Sequence, residues 1–196
     1  MKRVLDIVLA SIGVVLLAPV LTVIAAAVVI DSGTPILFRQ ERVGRNFRPF
    51  VLYKFRSMRV EAPGSLITAS GDPRVTRVGR FLRSTKLDEL PQLINVIRGD
   101  MSIVGPRPEV RRYVELFRDD YANILSVRPG ITDLASVKYR DESKVLATSE
   151  DPERTYVEQI LPDKIALAMT YVREQSAWLD LRILVGTAVR VLRRSG

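Results

Sequence analysis

The chain has 196 residues, with 30 Lys+Arg against 22 Asp+Glu, a formal net charge of +8 and neither histidine nor cysteine. That length suits one domain with a substantial core, and the composition excludes disulfides, thiolate metal sites, and imidazole or thiol catalysis. Chemistry therefore falls to carboxylates, hydroxyls, lysine or a bound metal, and the only metal the composition favours is a hard cation such as Mg²⁺ on carboxylate oxygen.

Residues 7–30 carry no charge, which is long enough for a transmembrane helix of about 20 apolar residues. Lys2 and Arg3 precede this run, with Asp6 at its edge, and Arg39, Arg42, Arg45 and Arg48 follow it. Pro19 lies in the middle, where it removes a backbone hydrogen bond and crowds the preceding turn. Lys/Arg-rich flanks belong in the cytoplasm. Both flanks satisfy that rule if the segment enters, breaks near Ala18-Pro19 and returns to the same face. The residues alone leave this re-entrant form and a spanning helix both open. A signal peptide cleaved near Ala25–Ala27 ranks last, because its apolar part would be long.

Ile36–Gln40 and Phe50–Phe55 read as short strands around a Gly44-Arg45-Asn46 turn. Period two puts Lys54 and Arg56 on the same face as Phe50 and Leu52. Two cations there could hold a diphosphate or form a polar sheet rim. Residues 61–74 read as a loop. Thr85 stands three residues before Asp88, a capping-box spacing for a helix reaching Ile97, with Pro91 in its first turn. Asp88 and Glu89 then sit at a helix N-terminus, where acids commonly complement the dipole. In a chain without His or Cys, they are also the best candidates for chemistry.

Gly99 ends that helix. Val104-Gly105-Pro106-Arg107-Pro108-Glu109 is a stiff turn that projects Arg107, whose guanidinium fork matches phosphate oxygens. Arg111–Tyr121 reads as helix, and Arg128-Pro129-Gly130 as a second rigid turn. A further helix is expected from Pro152 to Tyr171, with Pro162 as a point of interruption. In Trp178–Arg194, Leu181, Leu184, Ala188 and Leu192 share a face, and Arg182, Arg190 and Arg193 lie opposite. This fits an amphipathic helix in a membrane interface, anchored by Trp178, or a helix packed on a soluble core. The expected fold class is α+β, mainly helical, with a short β-hairpin.

Several motifs occur in a fixed order. They are Lys2-Arg3-Val4-Leu5-Asp6 before the Pro-interrupted apolar run, Tyr53-Lys54-Phe55-Arg56-Ser57-Met58, and Arg83 with Leu87-Asp88-Glu89-Leu90-Pro91-Gln92-Leu93. Asn95-Val96-Ile97-Arg98-Gly99-Asp100-Met101-Ser102, Val104-Gly105-Pro106-Arg107-Pro108 and Val127-Arg128-Pro129-Gly130-Ile131-Thr132 complete the set. In this order they resemble the bacterial sugar transferase family, specifically the small monotopic phosphoglycosyl transferases, over nearly the whole chain.

The resemblance implies transfer of a sugar 1-phosphate from a nucleoside diphosphate sugar, expected to be a UDP-sugar, to polyprenyl phosphate. The products would be polyprenyl diphosphate sugar and UMP. It implies Asp88 as the nucleophile that forms a covalent phospho-sugar intermediate, and Glu89 as the Mg²⁺ ligand. Lys54, Arg83, Arg107, Arg140 and Asp180 match positions around the active site or donor. Arg56, Pro108 and Arg128 join them as substrate-binding candidates. The resemblance also implies a re-entrant helix-break-helix over residues 1–30, broken at Ala18-Pro19. A catalytic domain over residues 31–196 would face the cytoplasm at the bacterial inner membrane, in contact with membrane lipids. Larger relatives carry extra transmembrane helices and another domain, so the chain is expected to be the minimal catalytic form.

The chain departs from the family pattern at Asp133 and Ser136, where many members have Gly and Gln. It departs again at Lys138–Glu142, where an Asn-Gly-Arg run is common. This stretch is a candidate donor-sugar reader. The alternative function is a non-catalytic, membrane-anchored basic module binding anionic lipid or nucleic acid. Nucleic acid is not expected, because neither an aromatic stacking platform nor a groove-reading motif is present. A polyprenyl-phosphate enzyme with a different donor and a homo-oligomer both stay open.

Overall fold

The computed structural model describes residues 1–59, 68, 70–139 and 142–192. The apolar run forms helix α1, Lys2–Ser32, 31 residues long, roughly 46 Å at the usual rise. Arg3, Asp6, Ala10, Gly13, Leu17, Leu21, Ile24 and Val28 recur every three or four positions, and all are buried or half-buried. This is the stripe an α-helix lays along a partner. The opposite face, including Val8, Ile12, Val15, Val23 and Ile30, is exposed. The helix is long and apolar enough to cross a membrane.

Pro19 lies inside one continuous helix rather than between two, so two separately assigned helices flanking Ala18-Pro19 are not seen. The Thr22 hydroxyl donates to the Ala18 carbonyl at 2.9 Å, beside the hydrogen bond that proline cannot make. Residues 15–20 are all exposed except half-buried Leu17.

Both ends of α1 are fastened to the rest of the molecule. Arg3 donates to the Val96 and Ile97 carbonyls at 2.7 and 3.2 Å. Asp6 accepts from the Ser102 hydroxyl and the Ile103 amide. Lys2 pairs with Asp180 at 2.5 Å. At the other end, Asp31 accepts from the Val78 amide at 3.0 Å. The Ser32 and Gly33 carbonyls accept from the Arg56 guanidinium, each at 2.6 Å.

Strands β1 (Leu37–Val43) and β2 (Pro49–Phe55) form the expected antiparallel hairpin, with Leu37 opposite Phe55 and Val43 opposite Pro49. Each strand is longer than its sequence pattern indicated, and a 3-10 turn over Arg45–Phe47 joins them. Alternation holds on β2: Phe50 and Leu52 pack with Ala10, Val96 and Met101.

Helix α2 (Arg77–Thr85) is capped by Thr76, whose hydroxyl accepts from the Gly79 amide at 2.9 Å. A β-carbon at Gly79 would fall 2.1 Å from the Ser57 carbonyl oxygen, so glycine lets α2 touch the chain leaving β2. Lys86 adopts a left-handed conformation, φ 62°, and turns the chain out of α2. A 3-10 turn, Leu87–Glu89, follows, and then α3, Gln92–Arg98, with Pro91 as its N-cap. The capping box expected at Thr85 is absent. Thr85 closes α2, its hydroxyl donating to the Phe81 carbonyl, because the chain reverses at Lys86 before α3 begins. Gly99, φ 99°, ends α3 as anticipated.

Strand β3 (Ser102–Val104) pairs in parallel with β4 (Gly130–Thr132). Helices α4 (Arg111–Leu116) and α5 (Arg118–Ile124) form the crossover between them. The single helix expected over Arg111–Tyr121 is therefore two, separated at Phe117 (φ −124°, ψ 42°). A β-carbon on Gly130 would lie 2.1 Å from the Gly105 amide nitrogen. Only glycines allow the two turns to cross so closely, and the crossing fixes where Pro106-Arg107-Pro108 starts.

Short helices α6 (Leu134–Lys138), α7 (Glu142–Ala147) and α8 (Pro152–Thr155) lead to a π turn, Tyr156–Ile160. Helix α9, Leu161–Glu174, follows directly. The expected interruption is thus this π turn just before Pro162, a widening that accommodates a residue without an N–H. Helix α10, Ala177–Leu192, packs Ile183 against Val104 and Tyr171.

Candidate active site

Asp88 and Glu89 face inward from the 3-10 turn, and both are buried. Lys54, the penultimate residue of β2, reaches Glu89 Oε1 at 2.9 Å. Arg107, from the proline-braced turn after β3, places Nη2 2.7 Å from the same oxygen and Nη1 3.4 Å from Oε2. Three segments distant in sequence thus meet at one carboxylate. Burial pushes Glu89 toward protonation, but the adjacent Arg107 and Lys54 outweigh it and hold the carboxyl well below its ordinary range. The reciprocal attraction holds Arg107 charged. Asp88 goes the other way. Burial raises its pKa, with Lys54 opposing and the Glu89 charge adding to the push. Its Oδ1 is buried without a hydrogen-bond partner.

The pair lies on a cleft of about 1770 Å³. Its lining includes the apolar flank of α1 at Val14, Leu21 and Ala25, and the polar side chains of Tyr139, Glu142, Tyr156 and Lys164. Arg83 lines the cleft near the pair, with Nη1 3.9 Å from Met58 Sδ. Lys54, Arg83, Asp88, Glu89 and Arg107 are therefore brought together.

The remaining candidates have other local roles. Arg56 is buried, and its Nη2 is engaged with the end of α1. The Pro108 carbonyl accepts from Arg42 at 3.1 Å. Arg128 donates to the Gly99 carbonyl at 2.9 Å, beyond the end of α3. Asp180 holds Lys2 and accepts from the Tyr171 hydroxyl at 2.7 Å, and that hydroxyl oxygen also lies 3.1 Å from the Val104 carbonyl, its alternative acceptor. Ala18 and Pro19 lie within α1. Arg140 falls outside the described residues.

Sequence reading missed a polar group lining the cleft. Glu109 is buried, accepting from the Tyr156 hydroxyl at 2.7 Å and from Arg42 at 3.3 Å. Lys164 pairs with Glu142 at 2.6 Å and stands 4.8 Å above the Tyr156 ring. Their sole sequence signal was Glu109 at the end of the proline-braced turn. The departure at Asp133 has a local explanation, since its carboxylate caps α6 by accepting from the Ser136 amide and hydroxyl.

Among the described residues, no three His, Cys, Asp or Glu side chains cluster to hold a metal. The donor chemistry nonetheless suits Mg²⁺ at Glu89. This is an ionised carboxylate in a cleft, and Mg²⁺ ordinarily takes one or two carboxylates and completes its shell with water and substrate phosphates. The condition is that Lys54 and Arg107 yield the oxygens they now hold.

The family described as Bacterial sugar transferase matches residues 1–194. The chain belongs to that family. Curated members similar to it include the UDP-glucose:undecaprenyl-phosphate glucose-1-phosphate transferase of Escherichia coli (strain K12), 41% identical over 97% of this chain and 40% of that protein. The Caulobacter vibrioides protein of the same name is 39% identical over 97% of this chain and 69% of its own length. The UDP-N-acetylgalactosamine-undecaprenyl-phosphate N-acetylgalactosaminephosphotransferase of Aeromonas hydrophila is 38% identical over 97% of this chain and 43% of that protein. This family member thus spans about two fifths of the E. coli and A. hydrophila relatives. The names of these three relatives agree on undecaprenyl phosphate and differ in the sugar.

Proposed function

We propose that the chain is a phosphoglycosyl transferase that moves a sugar 1-phosphate from a UDP-sugar to undecaprenyl phosphate. The observation that carries this reading is the partnerless, buried Asp88 Oδ1 beside a carboxylate gripped by Lys54 and Arg107. Such an oxygen is desolvated and unengaged, as a nucleophile must be before it attacks. The names of the relatives supply the substrate classes.

In this reading Asp88 attacks the donor's β-phosphorus. An aspartyl–phosphorus bond forms, the bond to the bridging oxygen breaks, and UMP leaves with that electron pair. A phosphate oxygen of undecaprenyl phosphate then attacks the same phosphorus and expels Asp88, giving undecaprenyl diphosphate sugar. Lys54, Arg83 and Arg107 neutralise the gathering negative charge, and their fixed placement favours the transition state. Glu89 would hold Mg²⁺, which would supply further neutralisation at the phosphates. The apolar lining of the cleft, along α1, suits the polyprenyl chain. The polar lining suits the donor.

We also propose that α1 re-enters the membrane rather than crossing it. Both of its ends are fastened to one body, at Val96–Ile97 and at Arg56–Val78. A spanning helix would put a membrane between them. Residues 15–20 would form the deepest point, with α10 lying in the interface on the cytoplasmic side.

The test is UMP release from solubilised protein given undecaprenyl phosphate, Mg²⁺ and a panel of UDP-sugars. Turnover is expected with at least one donor. Asp88→Asn should lose roughly 10³-fold or more, and Glu89→Gln should also fall sharply. Full activity in Asp88→Asn would sink the covalent route.

A further inference from the structure

Glu89 is spoken for. Lys54 and Arg107 engage both of its oxygens, and each cation is itself constrained. Lys54 is held by its place near the end of β2. Arg107 is held between two prolines in a turn anchored by the Gly105–Gly130 crossing. A divalent cation arriving alone would meet two fixed positive charges and no unengaged oxygen on Glu89.

A diphosphate changes both conditions. Its oxygens accept bidentate hydrogen bonds from a guanidinium and attract an ammonium. It also brings enough negative charge to compensate all the cations at once. We propose that Lys54 and Arg107 close the metal position on Glu89 in the donor-free protein, and that a nucleoside diphosphate opens it by drawing both cations onto its phosphates. The inference rests on the phosphoglycosyl transferase reading, and it adds an order: metal engages Glu89 with the donor or after it. By linkage, the donor then raises metal affinity by the same factor as the metal raises donor affinity. The two cations are thus positioning residues for the metal as well as counter-charges for phosphate.

Mn²⁺ is the probe, followed by electron paramagnetic resonance on the full chain in nanodiscs. Glu89→Gln defines binding that does not involve this carboxylate. Without nucleotide, wild-type protein should bind no more Mn²⁺ than Glu89→Gln does. Lys54→Met and Arg107→Gln, each without nucleotide, should bind at least about tenfold tighter than wild type, and should lose that gain when combined with Glu89→Gln. With UDP, wild type should hold Mn²⁺ that Glu89→Gln does not, measured against Mn²⁺–UDP alone. Circular dichroism checks folding, and either cation variant alone suffices. Glu89-dependent Mn²⁺ binding by donor-free wild type, or no gain in a folded cation variant, would overturn the gate. UMP release by wild type is scored separately. Turnover with an ungated metal site rejects this inference alone, whereas no turnover with any donor rejects the function beneath it.

Discussion

Asn95 ties α3 to β2, the strand that carries Lys54 into the candidate active site. It is fully buried on α3, and its side chain acts as a missing strand for β2. Its Oδ1 accepts from the Tyr53 amide at 3.1 Å, and its Nδ2 donates to the Val51 carbonyl at 2.7 Å. Those are the backbone groups of β2 that point away from β1, and Lys54 is the next residue. Asn95→Leu would orphan both, at about 1–3 kcal/mol each in a buried setting. We expect a stability loss of about 2–4 kcal/mol in denaturant melts of the solubilised protein, with weaker turnover as Lys54 shifts from Glu89. A loss below about 0.5 kcal/mol would mean these bonds carry little. At this scale the Asp88–Glu89 pair was legible, because removing His and Cys left few other candidates. Asn95 was not, since an amide in a helix looks the same whether it faces water or a strand edge. Thr85 was misread because capping spacing does not register a left-handed Lys86 between it and the helix.

Among the elements, α10 has two apolar faces. Ile183 is buried against Val104 and Tyr171, while Trp178, Leu181, Val185 and Val189 are exposed on the outer side. The sequence stripe of Leu181, Leu184 and Ala188 is therefore rotated in part, because half-buried Leu184 turns toward the core. An apolar outer face on a helix that already has a core face calls for a further apolar phase. Trp178 is the chain's single tryptophan, which makes the test direct. In bilayers its emission should shift to the blue and be quenched by lipids brominated near the headgroups. Unquenched emission at a water-like wavelength would place α10 off the membrane. The long elements were readable because α1 contains a sustained uncharged run and the hairpin alternates over several pleats, although α1 runs unbroken through Pro19. Strands β3 and β4 span three residues each, too short for periodicity, and their pairing depends on two glycines 25 positions apart in a region read only as rigid turns.

For the whole molecule, the arrangement of α1 decides how the chain meets the membrane. A cysteine inserted between Met1 and Lys2, and another at Arg59→Cys, probe the two flanks without native thiols to interfere. In intact cells neither should react with an external, membrane-impermeant maleimide, and both should react once the membrane is permeabilised. Opposite behaviour of the two would establish a spanning helix. Composition had left both topologies open, because apolar length and flanking charge describe a segment and not its attachments. Those attachments were invisible in the sequence. Arg3 read as a flanking charge and Arg56 as a candidate phosphate-binding cation, whereas Arg3 is tied to α3, Asp31 to α2, and Arg56 to the end of α1. The basic excess is likewise spent partly inside the molecule, on Glu89, Glu109 and the ends of α1.

The clasp between Lys2 and Asp180 joins residues 178 positions apart. At synthesis rates of about 5–20 residues per second, Asp180 emerges roughly 10–35 s after Lys2. The apolar stripe of α1 can be covered by β2, α2 and α3 as they emerge, but the Lys2 clasp stays open until the last helix arrives. Fastening of α1 is thus ordered by translation, the contacts of Arg3 and Asp6 with residues 96–103 becoming possible before the Lys2 clasp. A ribosome that stalls before position 180 would leave α1 with its Lys2 clasp still open.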